Sequence, residues 1–463
     1  MKRRDFLKIM GATAATAAIP SVFTAQSTPV VGTPNTADPN VIRIDSNLSE
    51  IDAKLAKPVT AIILGAGARG RTFANYARSY PGSLNIVGVS DINDFRRNQM
   101  GDRFDIPQHH RFGDWSEVFK RPRFADAVII TTPDDQHYEP CMIALEMGYD
   151  ILLEKPIAQT EQECVDILNQ TRKYGRIVAV CHVLRYAPYF IAMRNIVQSG
   201  KLGKIISVQH LEPIEALHMA HSYVRGNWHN SKKSTPIIIA KSCHDLDIVP
   251  WIVGKTYSEI SAFGDLSFFK RENAPVGSAN RCLDCSVESK CYYSSKRHYL
   301  ERKRGLHVFD IQATEGAARD QEIIHNLRTT NYGRCVFRME NDQPDHYVMN
   351  AKFTDGTTMA FSMEALTSYH GRFTRIFGSE GDIVGDMRTF THTDFLSGRQ
   401  YVWRAEQTDG HGGGDARLMR DFVKAVHHQD ESFITSTIEA SVESHVAGFR
   451  AEKSRLNSRV EKM

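Results

Sequence analysis

Val59-Thr60-Ala61-Ile62-Ile63-Leu64 runs directly into Gly65-Ala66-Gly67-Ala68-Arg69-Gly70, after which Phe73, Ala74, Tyr76 and Ala77 recur at helical spacing. An apolar run, a glycine turn and an amphipathic stretch in that order predict strand, tight turn and helix. The glycines permit the turn itself, close backbone approach to a pyrophosphate, and tight packing of helix on strand. The helix N-terminus then presents free N–H groups and partial positive charge to the phosphates. A glycine motif alone is weak. Here a second apolar run, Leu84-Asn85-Ile86-Val87-Gly88-Val89, ends in Ser90-Asp91, 21 residues beyond Gly70. A carboxylate at that distance accepts hydrogen bonds from a ribose and repels a 2′-phosphate, which favours NAD over NADP. Arg96 and Arg97, shortly downstream, are the opposing signal.

Further along, Asp126–Thr132 is a buried strand stopped by Pro133, and Asp150-Ile151-Leu152-Leu153 leads into Glu154-Lys155-Pro156. A last apolar run, Ile177–Val180, ends in Cys181-His182. Strands alternating with helical stretches predict a doubly wound parallel sheet, an α/β Rossmann domain over residues 58–182. Ligands of such sheets bind beyond the carboxyl ends of the strands, so Thr132-Pro133 and Glu154-Lys155 point at the cofactor.

Upstream, residues 1–25 read as an address. Lys2-Arg3-Arg4-Asp5-Phe6-Leu7-Lys8 precedes a short Ala- and Thr-rich apolar run and Pro20, the pattern of a twin-arginine export signal. That predicts a periplasmic or otherwise exported protein that meets the twin-arginine export machinery. Residues 26–57 hold Ser, Thr, Pro and Asn without a sustained period and read as a linker. The whole formal charge of +3 falls within residues 1–25, so the remaining chain is balanced. A nucleic-acid binder carries its basic excess on the folded part, which argues against that class. With 463 residues, 41% hydrophobic and 24% charged, the chain has room for two globular domains and no apolar run that spans a bilayer.

The motif at 65–70, Asp91, Thr132-Pro133 with His137, and Glu154-Lys155-Pro156 resemble the glucose–fructose oxidoreductase/inositol dehydrogenase/MocA (Gfo/Idh/MocA) family. The resemblance continues through Arg185-Tyr186-Ala187-Pro188, Lys241–Asp247 and Gly410–Asp415, and covers roughly residues 58 to 455. By themselves the residues after 183 read only as α+β and sheet-rich, with a hairpin turning at Asp355-Gly356. The resemblance implies a C-terminal α/β domain over 183–463 with a large, mostly antiparallel sheet. It also makes the last helices candidates to pack back on the Rossmann domain, and implies a homo-oligomer. For the cofactor it implies NAD contacts from Gly65, Gly67, Ala68, Arg69, Gly70, Asp91, Thr132, Pro133, His137, Glu154 and Lys155.

Lys155 and His244 are the expected catalytic residues. A lysine at a strand end is commonly a solvated cation, but the resemblance places it against substrate hydroxyl and cofactor, where burial and a positive neighbour favour proton transfer. The His244 imidazole can take the proton that an alcohol loses on becoming a ketone. The inositol-dehydrogenase pattern has an aspartate four residues before this histidine; here that position is Ala240, and Lys241 follows it. Lys241, Tyr223, His411 and Arg185 are the substrate-site candidates. Cys282, Cys285 and Cys291 form C-x2-C-x5-C, which with Cys335 or His298 suits a structural zinc, a disulfide or free thiols.

The expected function is hydride transfer between a sugar or polyol carbinol and NAD. An exported enzyme has no obvious external supply of NAD, so the cofactor is expected to be tightly bound. A redox-neutral NAD-dependent glycoside hydrolase is the alternative, and a non-catalytic nucleotide- or sugar-binding sensor the second. Glu154-Lys155-Pro156 favours the oxidoreductase over the hydrolase, and Lys155 with His244 argues against the sensor.

Overall fold

The computed structural model describes residues 33–34, 38–44, 55–405 and 411–463. The export signal read at residues 1–25 lies outside them. Among the described residues no helix is long and apolar enough to cross a membrane.

Six parallel strands form the first sheet, in the order Arg111–Phe112, Leu84–Ser90, Val59–Leu64, Ala127–Ile130, Asp150–Leu153, Val178–Val180. The chain order reverses between Val59–Leu64 and Ala127–Ile130, so the crevice at their carboxyl ends is the binding position of a doubly wound sheet. Helices cover both faces, which is why the four residues of Ala127–Ile130 and of Asp150–Leu153 are all buried. The helix Glu161–Tyr174 shows how local sequence sets a boundary. Thr160 and Glu163 form a capping box at its start, and Gly175 ends it in the left-handed conformation.

The second sheet has eleven strands, antiparallel except where Thr358–Glu364 meets Ile205–Pro213 and Gln400–Ala405 meets Val41–Ile44. Thr33–Pro34 and Val41–Ile44 thus extend one edge of this sheet from within the stretch read as linker. Four residues are too few to show a period, which is why the sequence did not mark them. Helices Pro188–Gln198, Cys243–Val253 and Ile438–Asn457 back one face of the sheet. On the other face the register aligns Phe263, Val348, Ser362, Leu211 and Phe373 in one row across five strands, with Phe263, Val348 and Phe373 exposed.

Two late helices join the halves. Gly414–His428 places Leu418, Phe422 and Val426 in the Rossmann core with Phe73 and Ala74. Ile438–Asn457 gives Ile438, Val442 and Val446 to the Rossmann side, and Ala447 and Ala451 to the core under the large sheet.

Candidate active site

The glycine turn leaves the sheet at the chain reversal. Gly65 has φ +94, and a Cβ there would lie 2.7 Å from the Thr131 carbonyl oxygen. At Gly70 a Cβ would come within 2.0 Å of the Gly65 carbonyl oxygen, so neither position admits a side chain. Gly67, which caps the helix Ala68–Ser79, faces open space instead. That is the room a pyrophosphate needs at a helix N-terminus. Asp91 closes the same corner: its Oδ2 accepts from the Ala66 N–H at 2.8 Å and its Oδ1 from the Asn93 N–H at 2.8 Å. Each oxygen keeps a second lone pair for a ribose hydroxyl. The residues present therefore fit a dinucleotide.

The neighbouring strand ends are tied together. His137 is buried, with Nδ1 2.7 Å from the Pro156 carbonyl oxygen and Nε2 2.9 Å from that of Thr132. Both ring nitrogens are thus engaged with backbone, and His137 positions the two loops rather than presenting a free group to the cofactor. The Thr132 hydroxyl donates to the Gln136 carbonyl at 2.7 Å. Arg69 pairs through Nε with Glu154, and its Nη2 donates to Asp415 Oδ1 at 2.7 Å. Asp415 Oδ2 meets His411 Nδ1 at 2.8 Å. These contacts link the glycine turn to the helix Gly414–His428 of the other half.

Lys155 follows the strand Asp150–Leu153, and its Nζ donates to the Ala240 carbonyl at 2.9 Å. The backbone at the position lacking the aspartate thus supplies an acceptor. One turn on, His244 sits in the helix Cys243–Val253, 6% exposed, with its Nδ1 buried and without a hydrogen-bond partner. Burial, then Lys155, Arg372, His182 and His411 around it, hold its pKa well below the usual histidine range. A neutral imidazole keeps one ring nitrogen able to accept a proton, and the buried Nδ1 itself is closed to solvent. The His411 ring is 6.2 Å from that of His244, and the Trp228 ring 5.9 Å from Lys155 Nζ. Tyr223, fully enclosed, packs its ring 6.0 Å from Trp228.

Behind this group lies a buried network that the sequence did not reveal. Glu212 accepts from Ser242 Oγ at 2.9 Å and Arg372 Nη2 at 3.0 Å, and lies 3.3 Å from Lys241 Nζ. Asp245 accepts from Arg372 Nε at 2.7 Å and meets His210 Nε2 at 2.8 Å. Burial and the Asp245 charge raise the Glu212 pKa, whereas the Arg372 guanidinium keeps Asp245 ionised. Burial lowers the pKa of Lys241. Glu212 follows Gln209-His210-Leu211 near the end of the strand Ile205–Pro213, a mixed stretch that does not mark it as a site residue. The Lys155, His244, Lys241, Tyr223 and His411 candidates thus surround one locality.

Arg185 does not join them. It is 4% exposed and forks onto Asp247, Nε to Oδ2 at 2.7 Å and Nη2 to Oδ1 at 2.6 Å, while Nη1 donates to the Thr435 carbonyl. Its substrate assignment is corrected: it is a buried brace between the helix Cys243–Val253 and the chain before Ile438–Asn457.

The zinc expected at Cys282, Cys285 and Cys291 is likewise not supported. All eight cysteines are free thiols, and among the described residues no group of three or more His, Cys, Asp or Glu is placed to hold a metal. Cys282, Cys285, Cys291 and Cys335 do line one small cavity, together with Arg225. The Arg225 guanidinium donates to Cys282 Sγ at 3.6 Å, and burial pushes the Cys291 and Cys335 thiols up. A cation beside protonated thiols opposes a divalent metal, which needs thiolates. His298 belongs elsewhere, its ring packed on Tyr299 and His221. Cys282→Ala should cost about 1–3 kcal/mol, because the buried Arg225 guanidinium loses its sulfur acceptor. The expected result is a lower thermal midpoint with unchanged turnover; lost turnover at unchanged midpoint would tie the cavity to the chemistry.

Residues 59–182 match the model of the GFO/IDH/MocA oxidoreductase family, NAD-binding Rossmann fold, and residues 194–454 match that family's C-terminal alpha/beta domain. The chain belongs to this family. It is an NAD-binding oxidoreductase with the family's two domains. The protein YteT of Bacillus subtilis is 26% identical over 314 residues, 64% of this chain and 71% of that protein. An inositol 2-dehydrogenase/D-chiro-inositol 3-dehydrogenase of Lactiplantibacillus plantarum is 24% identical over 215 residues, 46% of this chain and 58% of its own length. The chain thus spans little more than half the length of this dehydrogenase. Among solved structures, an inositol dehydrogenase homolog of Azotobacter vinelandii complexed with NAD+ shares the fold, with TM-score 0.66 at 15% identity, covering 89% of this chain and 99% of that one.

Proposed function

We propose that the chain oxidises or reduces a carbinol carbon of a sugar or polyol, with NAD held through repeated turnovers outside the cytoplasm. The convergence of Lys155 and a neutral His244 at the carboxyl edge of the Rossmann sheet carries this reading. The glycine turn, the helix N-terminus and Asp91 would hold NAD, which when bound would supply a two-electron hydride acceptor for the carbinol carbon. His244 takes the hydroxyl proton, and Lys155 donates a hydrogen bond to the oxygen on which negative charge develops. Lys241 and His411 would contact neighbouring hydroxyls. The inositol dehydrogenases among the relatives support a polyol or sugar as substrate. Lys2-Arg3-Arg4 supports export of the folded, loaded protein by the twin-arginine route. The exposed row of Phe263, Val348 and Phe373 supports self-association through the open sheet face.

Two measurements on the purified protein test this. Denaturation should release near-stoichiometric NAD, identified by mass and absorbance. In a single turnover, members of a sugar and polyol panel should reduce the bound nucleotide, followed by the near-ultraviolet absorbance of reduced nicotinamide. Cleavage of aryl glycosides without any such reduction would replace this reading with the hydrolase one.

A further inference from the structure

We infer that Asp310, reaching across from the second half of the chain, sets the choice of NAD over NADP by holding Arg96 away from the adenosine ribose. This rests on Asp91 meeting that ribose. Arg96 lies in the first turn of the helix Asp94–Arg103, three residues past the N-cap Asn93, within reach of any 2′-phosphate at Asp91. Its Nε donates to Asp310 Oδ1 at 2.6 Å. The other oxygen, Asp310 Oδ2, accepts from Asn93 Nδ2 at 2.8 Å, and the Asn93 N–H is the group bound to Asp91 Oδ1. Asp310 is thus one residue removed from the ribose carboxylate.

The other guanidiniums nearby are also engaged. Arg97 donates through Nη1 to the Asp91 carbonyl and pairs with Asp94, while Arg71 donates through Nη1 to the Ala66 carbonyl. A 2′-phosphate entering here meets two carboxylates, Asp91 and Asp310, and its best cation is already paired. The bridge spans 214 residues of sequence, so the helix Asp94–Arg103 alone does not determine how Arg96 is used. Arg96 and Asp310 are both 29% exposed, which makes the pair one that a substitution can release without opening a core.

The test is equilibrium competition of NADP+ against NAD+ on the full chain, with thermal midpoints recorded for every variant. The unaltered protein should prefer NAD strongly. Asp310→Asn removes the charge and frees Arg96, so NADP affinity should rise roughly tenfold, the worth of one charge-assisted hydrogen bond. NAD affinity should change little, and adding Arg96→Gln to that variant should erase the gain. Asp310→Ala, which removes the acceptor as well as the charge, should raise NADP affinity in the same way. Whichever of the two Asp310 variants keeps its thermal midpoint, an NADP affinity that does not rise in it overturns the inference. A strong NAD preference that survives Asp310→Asn in a stable protein overturns the inference alone. Equal affinity of the unaltered chain for both nucleotides overturns the placement of Asp91 as well.

Discussion

Lys155→Ala should lower the single-turnover rate of nicotinamide reduction by about 10²–10³-fold, the usual worth of a preorganised donor at a developing oxygen charge. Nucleotide should remain bound, because the glycine turn, the helix N-terminus and Asp91 lie apart from the ammonium. The loss has two sources. The developing oxygen charge loses its donor, and His244 loses a neighbour that, after burial, helps to keep it neutral. His244→Ala should cost a similar factor and change the pH profile as well. In the unaltered protein burial and Lys155 hold the His244 pKa well below 6.5, so the base stays unprotonated and the rate persists as pH falls through 6.5. With Lys155 removed the His244 pKa rises, and the residual rate should fall off at a higher pH than in the parent. Reduction of bound NAD by Lys155→Ala as fast as by the parent would remove the lysine from the mechanism.

Arg185→Ala should destabilise the fold by about 3–5 kcal/mol, the typical cost of stranding one partner of a buried ion pair. Asp247 would be left in the core, 3.7 Å from the equally buried His182. Burial already raises the Asp247 pKa, and Arg185 is the largest opposing influence. Without Arg185 the folded-state pKa climbs further above its unfolded value. The variant's deficit relative to the parent should therefore grow as pH rises and shrink toward acid, where Asp247 takes up a proton. Arg185→Lys keeps a charge but not the two-pronged fit, so its loss should be smaller. Folded Arg185→Ala protein should keep its KM for sugar substrates. A raised KM with unchanged thermal midpoint would restore Arg185 to the substrate site.

What the sequence revealed and what it hid divide along one physical line. The strand–glycine–helix unit at 59–79 and the carboxylate at Asp91 are local devices, whose spacing is dictated by one turn and one strand. Lys155 and His244 belong to compact motifs for the same reason. Arg185 sits in an equally compact motif, Arg185-Tyr186-Ala187-Pro188, yet its direction depends on Asp247, 62 residues away. Glu212, Arg372 and Asp310 have no local signature at all. Each becomes meaningful only when a distant strand or loop is laid beside it. The C-x2-C-x5-C spacing suggested a metal, but spacing says nothing of the Arg225 guanidinium that folds in beside the thiols.

The helix Ile438–Asn457 also governs the order in which the molecule can be made. Ile438, Val442 and Val446 complete a core whose strands end at Val180, and Ala179 bridges directly to Thr437. A ribosome adding about 5–20 residues per second needs on the order of 10–50 s to travel between those points. Throughout that interval the first half of the chain exists without the helix that seals it. The nucleotide domain is therefore not an early folding module to which a second domain is appended. It is completed only once Ile438–Asn457 has been made and packs against it.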